Sequence, residues 1–391
     1  MKAVLASVLA FRIALLLLAL LSCKLFPEAF SASLHARNFH GATTPGSLEC
    51  MLSTWDAQWY LVLAERGYAA TQQGGAAYYP LWPWLIRWTA PLLGGDHLLA
   101  GLLLANGFFL LACALLYRQT AREQGPAVAA TSVLLLAAYP GALFYGLPYS
   151  ESLFLLLSVA LFQLAQGRGR ALWLAVLPAL LLPLARPVGV LAVAPLAVSA
   201  WLARQERRLK PAGEGGPEPA GEGGLEPAAV CAALAPIAGW GAYFLWMHAS
   251  TGWALSGFAA QREFISQASL AKLLRPDLFA AAFFDVTHML APRGGAMDRI
   301  LFLVYAALLV PLWRRSKREF AWALLLGMIP AVSSSLMSFT RYLAVIFPLF
   351  TLAGGWLARA EQRGRRIRIL AFCAGLQTLF FYLHVNNYWV G

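Results

Sequence analysis

Charged side chains are scarce in this chain. They make up 12% of its 391 residues, against about 25% in an ordinary soluble domain. The deficit excludes a single water-soluble core. Hydrophobic residues account for 60%, in many runs near the length of about 20 residues that crosses a bilayer. Paired cysteines are missing too. Cys23, Cys50, Cys113, Cys231 and Cys373 form no CxxC, so neither a cysteine-built zinc site nor a redox pair is indicated. Most of them lie in apolar runs, where cysteine acts as a small hydrophobe. Pairing of Cys23 with Cys50 is left open. There is no DxD for the metal of a nucleotide-sugar diphosphate, no G-x-x-x-x-G-K-[ST] and no strand-led GxGxxG. The hydrophobic pattern shows no internal repeat, which counts against the rival reading, a transporter or lipid flippase.

What is present is a series of about eleven apolar spans: 4–24, 96–117, 126–147, 150–166, 171–185, 187–203, 228–248, 298–313, 319–338, 341–358 and 367–388. The first lacks a small-residue cleavage site and is expected to stay as an anchor. With the N-terminus in the cytoplasm, the inner loops carry Arg118 and Arg122; Arg168 and Arg170; Arg204, Arg207, Arg208 and Lys210; Arg314, Arg315, Lys317 and Arg318; and Arg359, Arg363, Arg365, Arg366 and Arg368. Every inner loop is basic, as the positive-inside rule requires. The net charge of +12 is therefore a topology signal, and no nucleic-acid partner is needed to explain it. Segments 25–95 and 249–297 become outer loops. Segment 204–227 becomes an inner linker whose PAGEGGPE and PAGEGGLE repeats hold too little apolar area to fold.

With that orientation the remaining polar residues converge on the outer side. Asp56 stands in STWDAQWYLVLAERGY, and Tyr78, Tyr79 and Trp82 in AAYYPLWP. Tyr149, Ser150 and Glu151 open the fourth span. Arg186 lies in LARPVG, and Arg341 with Tyr342 in FTRYLAVIFPLF. Ionisable groups near hydrocarbon mark function by default. Each also has a plainer role: Arg186 and Arg341 as headgroup anchors, Glu151 and Asp56 as helix-capping carboxylates.

The run from Ser53 to Leu63 reads as a short helix along the membrane surface. Asp56 and Tyr60 share one of its faces, and Trp55 and Trp59 are spaced to anchor it at headgroup level. One carboxylate with separate arginines suggests a division of labour. The carboxylate takes a proton from an attacking hydroxyl, and the arginines stabilise a departing phosphate. A donor with one phosphate on a lipid tail needs no DxD.

The stretches WDAQWYLVLAERGY, AAYYPLWP, YPGALFYGLPYSESLF, LARPVGV and FTRYLAVIFPLF resemble the PIG-V family, the second GPI mannosyltransferase, and its prokaryotic relatives in the GT-C class. They follow the family's order over most of the chain. YYPLWP stands where the family tends towards FFPLYP, and RPVG where eukaryotic members tend towards RSNG. A GPI precursor as acceptor finds no support in the sequence.

The resemblance implies a polyprenyl- or dolichyl-phosphate-mannose donor and no metal or other cofactor. Asp56 matches the acid that this class uses as its base. The expected fold is an all-α, polytopic GT-C-like domain over 1–391 with a large first outer loop. The expected catalytic residue is Asp56. Trp55, Gln58, Tyr60, Tyr79, Tyr149, Glu151, Arg186, Arg341 and Tyr342 are the expected substrate-binding residues. The expected partners are the lipid-linked donor, an unidentified hydroxyl acceptor, membrane lipids and, as in some relatives, a partner subunit. The expected location is the cell membrane, with the site on its outer face.

Overall fold

Every one of the apolar runs folds as helix in the computed structural model, which describes residues 1–38, 43–71, 73–209, 226–261, 269–285 and 295–390. Among the described residues there is no strand. Among the described residues six helices are long and apolar enough to cross a membrane: Lys2–Leu25, His97–Gln124, Pro187–Glu206, Pro227–Thr251, Ala296–Arg315 and Ala360–Val385. Pro126–Ala138 and Pro140–Gly146, bent by 81°, make a seventh if taken as one span. The expected count of about eleven spans is not reached: Glu151–Leu164, Arg170–Ala185 and Phe347–Leu357 are apolar but shorter, and Lys317–Ser333 has 17 residues. The chain is an integral membrane protein. Most of the inner linker 204–227 and parts of the loop 249–297 lie outside the described residues.

The short helices matter for the site. Glu151–Leu164 has 14 residues, a rise of about 21 Å against about 30 Å of hydrocarbon. The polar ends of such helices need other protein groups as partners. Glu151 opens one of them and Arg186 caps the end of another. The breaks follow from local sequence. Gly125, at φ +91°, reverses the chain between His97–Gln124 and Pro126–Ala138. Pro140 then starts the bent 3-10 segment Pro140–Gly146.

Small residues set the helix spacing, as is usual where lipid removes the hydrophobic drive between helices. A Cβ on Gly141 would lie 2.4 Å from the Thr340 carbonyl oxygen, and one on Gly239 2.1 Å from that of Leu180. The first approach brings the segment before Glu151 against the segment that carries Arg341. On the first span, Val8, Arg12, Leu15, Ala19 and Ser22 form the buried stripe, while Leu9, Ile13 and Leu17 face outward.

Segment 25–95, expected as the first outer loop, is largely helical in its described residues, with Leu48–Leu52, Asp56–Arg66 and Leu81–Thr89 its main elements. Ser53 closes the helix before, so the helix expected from Ser53 begins instead at Asp56. The cause is Trp55, whose φ of +56° no α-helix contains. Trp55 is buried rather than an interfacial anchor, and its ring meets Trp389 edge-on at 4.9 Å. Cys23 and Cys50 are free thiols.

The basic loops make a topological prediction. Cys50 is fully buried and is a poor probe, whereas Thr44 is exposed. In a Cys231→Ser background, an impermeant maleimide on intact cells should label Thr44→Cys and spare Gly216→Cys. The reverse pattern would invert the chain and place the site inside the cell.

Candidate active site

The acids and bases singled out above form one chain of ion pairs. Glu151 is fully buried, and both arginines reach its Oε1: Arg186 through Nη1 at 2.5 Å and Arg341 through Nε. Arg341 also pairs through Nη1 with Asp56 Oδ2. Two guanidiniums therefore lie between two carboxylates contributed by distant parts of the chain. Both acids stand in the first turn of a helix, where a carboxylate is favoured, but neither is limited to that role. The Asp56 carboxylate makes no capping bond to its helix but reaches Tyr78 and Arg341, and Glu151 holds two arginines. The arginines are not headgroup anchors either, since both face protein carboxylates.

Asp56 and Glu151 differ in access. The Asp56 side chain is 23% exposed and that of Glu151 1%. A ligand can therefore reach Asp56, while Glu151 is sealed behind the arginines as their shared counter-charge. Asp56 also accepts a hydrogen bond from the Tyr78 hydroxyl at 2.9 Å. Burial pushes the Tyr78 phenol well above its ordinary value, and the Asp56 charge adds to the rise. Tyr78 thus stays protonated as a donor. Tyr60 is pushed up to about 12, first by burial and then by Glu151. Its hydroxyl lies 2.9 Å from Ser150 Oγ.

The structure distributes the other expected residues unevenly. Tyr149 lies under the Arg341 guanidinium, 4.8 Å from ring centre to Cζ, with Phe144 at 4.9 Å, a geometry that favours a cation. Tyr342 is an electrostatic neighbour of Arg186, and Gln58 is buried on the Asp56 helix. Tyr79 is not at the carboxylate. Its ring stacks on Tyr243 at 4.0 Å, and the adjacent Tyr78 takes the place expected for it, because consecutive side chains leave the backbone in different directions. Trp82 is fully buried and donates to the Pro148 carbonyl at 3.1 Å.

Sequence reading missed residues that hold these groups in place. Asp298 accepts from Thr340 N at 2.9 Å and from Thr340 Oγ1 at 2.8 Å, fixing the residue before Arg341. Tyr139 donates to the Thr340 carbonyl at 3.0 Å. Arg12, in the first span, donates to the Ala142 carbonyl at 2.6 Å and lies 4.6 Å over the Phe109 ring, bracing the segment that leads to Glu151. His384 lies 3.1 Å from the Tyr149 hydroxyl. Each is a polar group within or beside an apolar run, and that was the available signal. Among the described residues no three His, Cys, Asp or Glu side chains gather as a metal site would require.

The arrangement makes Glu151 the structural centre. Glu151→Gln leaves two buried arginines short of a counter-charge, which costs about 3–5 kcal/mol when a buried pair loses one partner. Thermal melts in detergent should show a larger loss for Glu151→Gln than for Asp56→Asn, whose carboxylate is part-exposed. Equal melting points would mean that Glu151 bears no such load.

Three solved structures of the Archaeoglobus fulgidus oligosaccharyltransferase resemble the chain, all at 12% identity. The complex with Zn and sulfate has a TM-score of 0.44, covering 97% of this chain and 53% of that one. The form tethered to an acceptor peptide with the NVT sequon gives 0.43, with 98% and 55% covered. The complex of AglB with an inhibitory peptide and a dolichol-phosphate gives 0.43, with 98% and 56% covered. The chain spans about half the length of these proteins. Among curated proteins none matches it. A family model, Mannosyltransferase (PIG-V), matches residues 1–201, just over half of the 391 residues. That stretch holds Asp56, Tyr78, Tyr149, Glu151 and Arg186, while Asp298, Arg341 and His384 lie beyond it. The chain belongs to the mannosyltransferase (PIG-V) family, a family of membrane glycosyltransferases.

Proposed function

We propose that this chain moves a sugar, in our reading mannose, from a polyprenyl- or dolichyl-phosphate carrier onto a hydroxyl acceptor at the outer face of the cell membrane. The reaction is an inverting displacement that needs no metal. The observation that carries the proposal is the single chain of ion pairs Asp56–Arg341–Glu151–Arg186, in which Asp56 is the most exposed member and Glu151 the least.

The acceptor oxygen attacks the anomeric carbon while Asp56 takes the hydroxyl proton. The bond from that carbon to the phosphate oxygen breaks, and its electron pair leaves with the lipid phosphate. The phosphodiester carries one negative charge before transfer and the leaving phosphate two. Asp56 loses its charge to the incoming proton at the same moment. Arg341 contacts Asp56, so its pull passes from the carboxylate to the phosphate as the second charge appears there. Arg186 stays paired with Glu151 and offers its remaining N–H groups to the same oxygens. Tyr78 keeps Asp56 oriented, and the rings of Tyr60 and Trp59, packed on Tyr78 at 5.0 and 5.9 Å, wall the approach.

Family membership favours this enzyme over the transporter reading. Its burial and its two arginines argue against Glu151 as a substitute base.

The central test is transfer of labelled sugar from polyprenyl-phosphate-mannose in membranes that hold the chain. Asp56→Asn keeps the shape but takes no proton, so transfer should fall about 10²–10⁴-fold with normal insertion. An Asn variant of full activity would rule Asp56 out as the base.

Donor use has a separate signature. Arg186→Ala and Arg341→Ala should each weaken it, and Lys should restore only part, lacking the planar fork. Unchanged donor KM and kcat in both Ala variants would remove the arginines from phosphate recognition.

A further inference from the structure

The last span ends at Val385, and the chain then folds back over the turn that precedes Asp56. Asn387 makes the reversal in a left-handed conformation, φ +70°. The reversal is tied down from two sides. Asn386 Nδ2 donates to Ser22 Oγ at 2.9 Å, and the Asn386 carbonyl accepts from Ser31 N at 3.0 Å.

Two contacts run from this segment to the Asp56 turn. Trp389 meets the Trp55 ring edge-on at 4.9 Å, with planes 72° apart. The other contact is a relay. Tyr149 OH donates to the Thr54 carbonyl at 3.1 Å and lies 3.1 Å from His384 Nε2. A carbonyl can only accept, so the one phenol proton is committed to Thr54. His384 must then present Nε2–H to the phenol oxygen, which fixes its tautomer. His384 is fully buried, so water does not replace either bond.

The relay ends on the peptide between Thr54 and Trp55. Trp55 has φ +56° and ψ −125°, a conformation that side-chain-bearing residues adopt only when their surroundings impose it. Asp56 is the next residue. The backbone geometry at Trp55 therefore sets the direction of the Asp56 carboxylate, and the turn is contacted by Tyr149, itself bonded to His384, and by Trp389.

We propose that His384 is a positioning residue. Acting through Tyr149, it clamps the strained Thr54–Asp56 turn and aims the Asp56 carboxylate, with Trp389 as a second support on Trp55. The inference rests on the reading of Asp56 as base. It makes the C-terminal segment part of the catalytic apparatus, although the family match stops at residue 201.

The test uses the full chain in lipid nanodiscs for amide hydrogen exchange, and membranes supplied with labelled polyprenyl-phosphate-mannose for transfer. His384→Leu should speed exchange at the amides of 54–57 about tenfold, with little change in the spans. It should lower kcat about 10–100-fold, the scale of a small misplacement of a catalytic group, and leave donor KM within about twofold. His384→Gln, whose amide can still donate to Tyr149, should restore most of both. In an Asp56→Asn background, His384→Leu should cost nothing more, because the group it aims is already disabled. Trp389→Leu, beyond the span, should loosen the same amides and serves if His384→Leu does not insert.

Unchanged exchange at 54–57 would overturn the clamp. So would an equal loss of transfer in both backgrounds, which marks a general structural role. Faster exchange at 54–57 beside full activity of Asp56→Asn would keep the clamp and remove the base.

Discussion

Glu151 carries one negative charge in a fully buried position, and two guanidiniums converge on it. The helix ends that meet there are arranged around that fact. An unpaired carboxylate there would be prohibitively costly, so the helix that starts at Glu151 must meet the end of Arg170–Ala185 and the start of Phe339–Ala344. Arg341 then has donors to spare, and it reaches Asp56 in the first outer loop. A fold assembled from many spans is drawn to one point by a few charges, because in hydrocarbon those charges have nowhere else to go.

Backbone shape does the rest. Gly141 lets the Pro140–Gly146 segment touch the backbone at Thr340, and Asp298 ties Thr340 down through two hydrogen bonds. Ser335, Leu336 and Ser338 all take positive φ just before Arg341, as Trp55 does just before Asp56. Both site residues thus follow a strained stretch of chain held by surrounding contacts. Such strain persists only where packing over-determines it, and a pre-set geometry of this kind would limit the reorganisation needed in the proposed reaction, when charge moves between carboxylate and phosphate.

The loss of one charge at Asp56 as another appears on the leaving group gives Arg341 its place in the proposed reaction. An arginine shared between base and phosphate links the two ends of the displacement. Glu151 holds Arg186 and Arg341 at one oxygen, and Tyr78, held neutral by burial, gives Asp56 a hydrogen-bond donor.

The sequence by itself determined the membrane class, the placement of helices along the chain and the set of ionisable residues from which the site is made. These follow from local properties: apolar length, the basic loops, and the cost of a charge in an apolar run, which singled out Asp56, Glu151, Arg186 and Arg341. Only the tertiary structure decided which acid is accessible, that Tyr78 rather than Tyr79 faces it, that Trp55 is buried against Trp389, and that Asp298, Arg12 and His384 bond to Thr340, Ala142 and Tyr149. The helix expected from Ser53 failed for the same kind of reason, since Trp55 takes a backbone conformation that no local preference encodes. Hydropathy and charge are summed over neighbours in the chain and can be read there. Pairings such as Arg341 with Asp56, 285 residues apart, depend on which spans pack together, and a linear pattern holds no record of that.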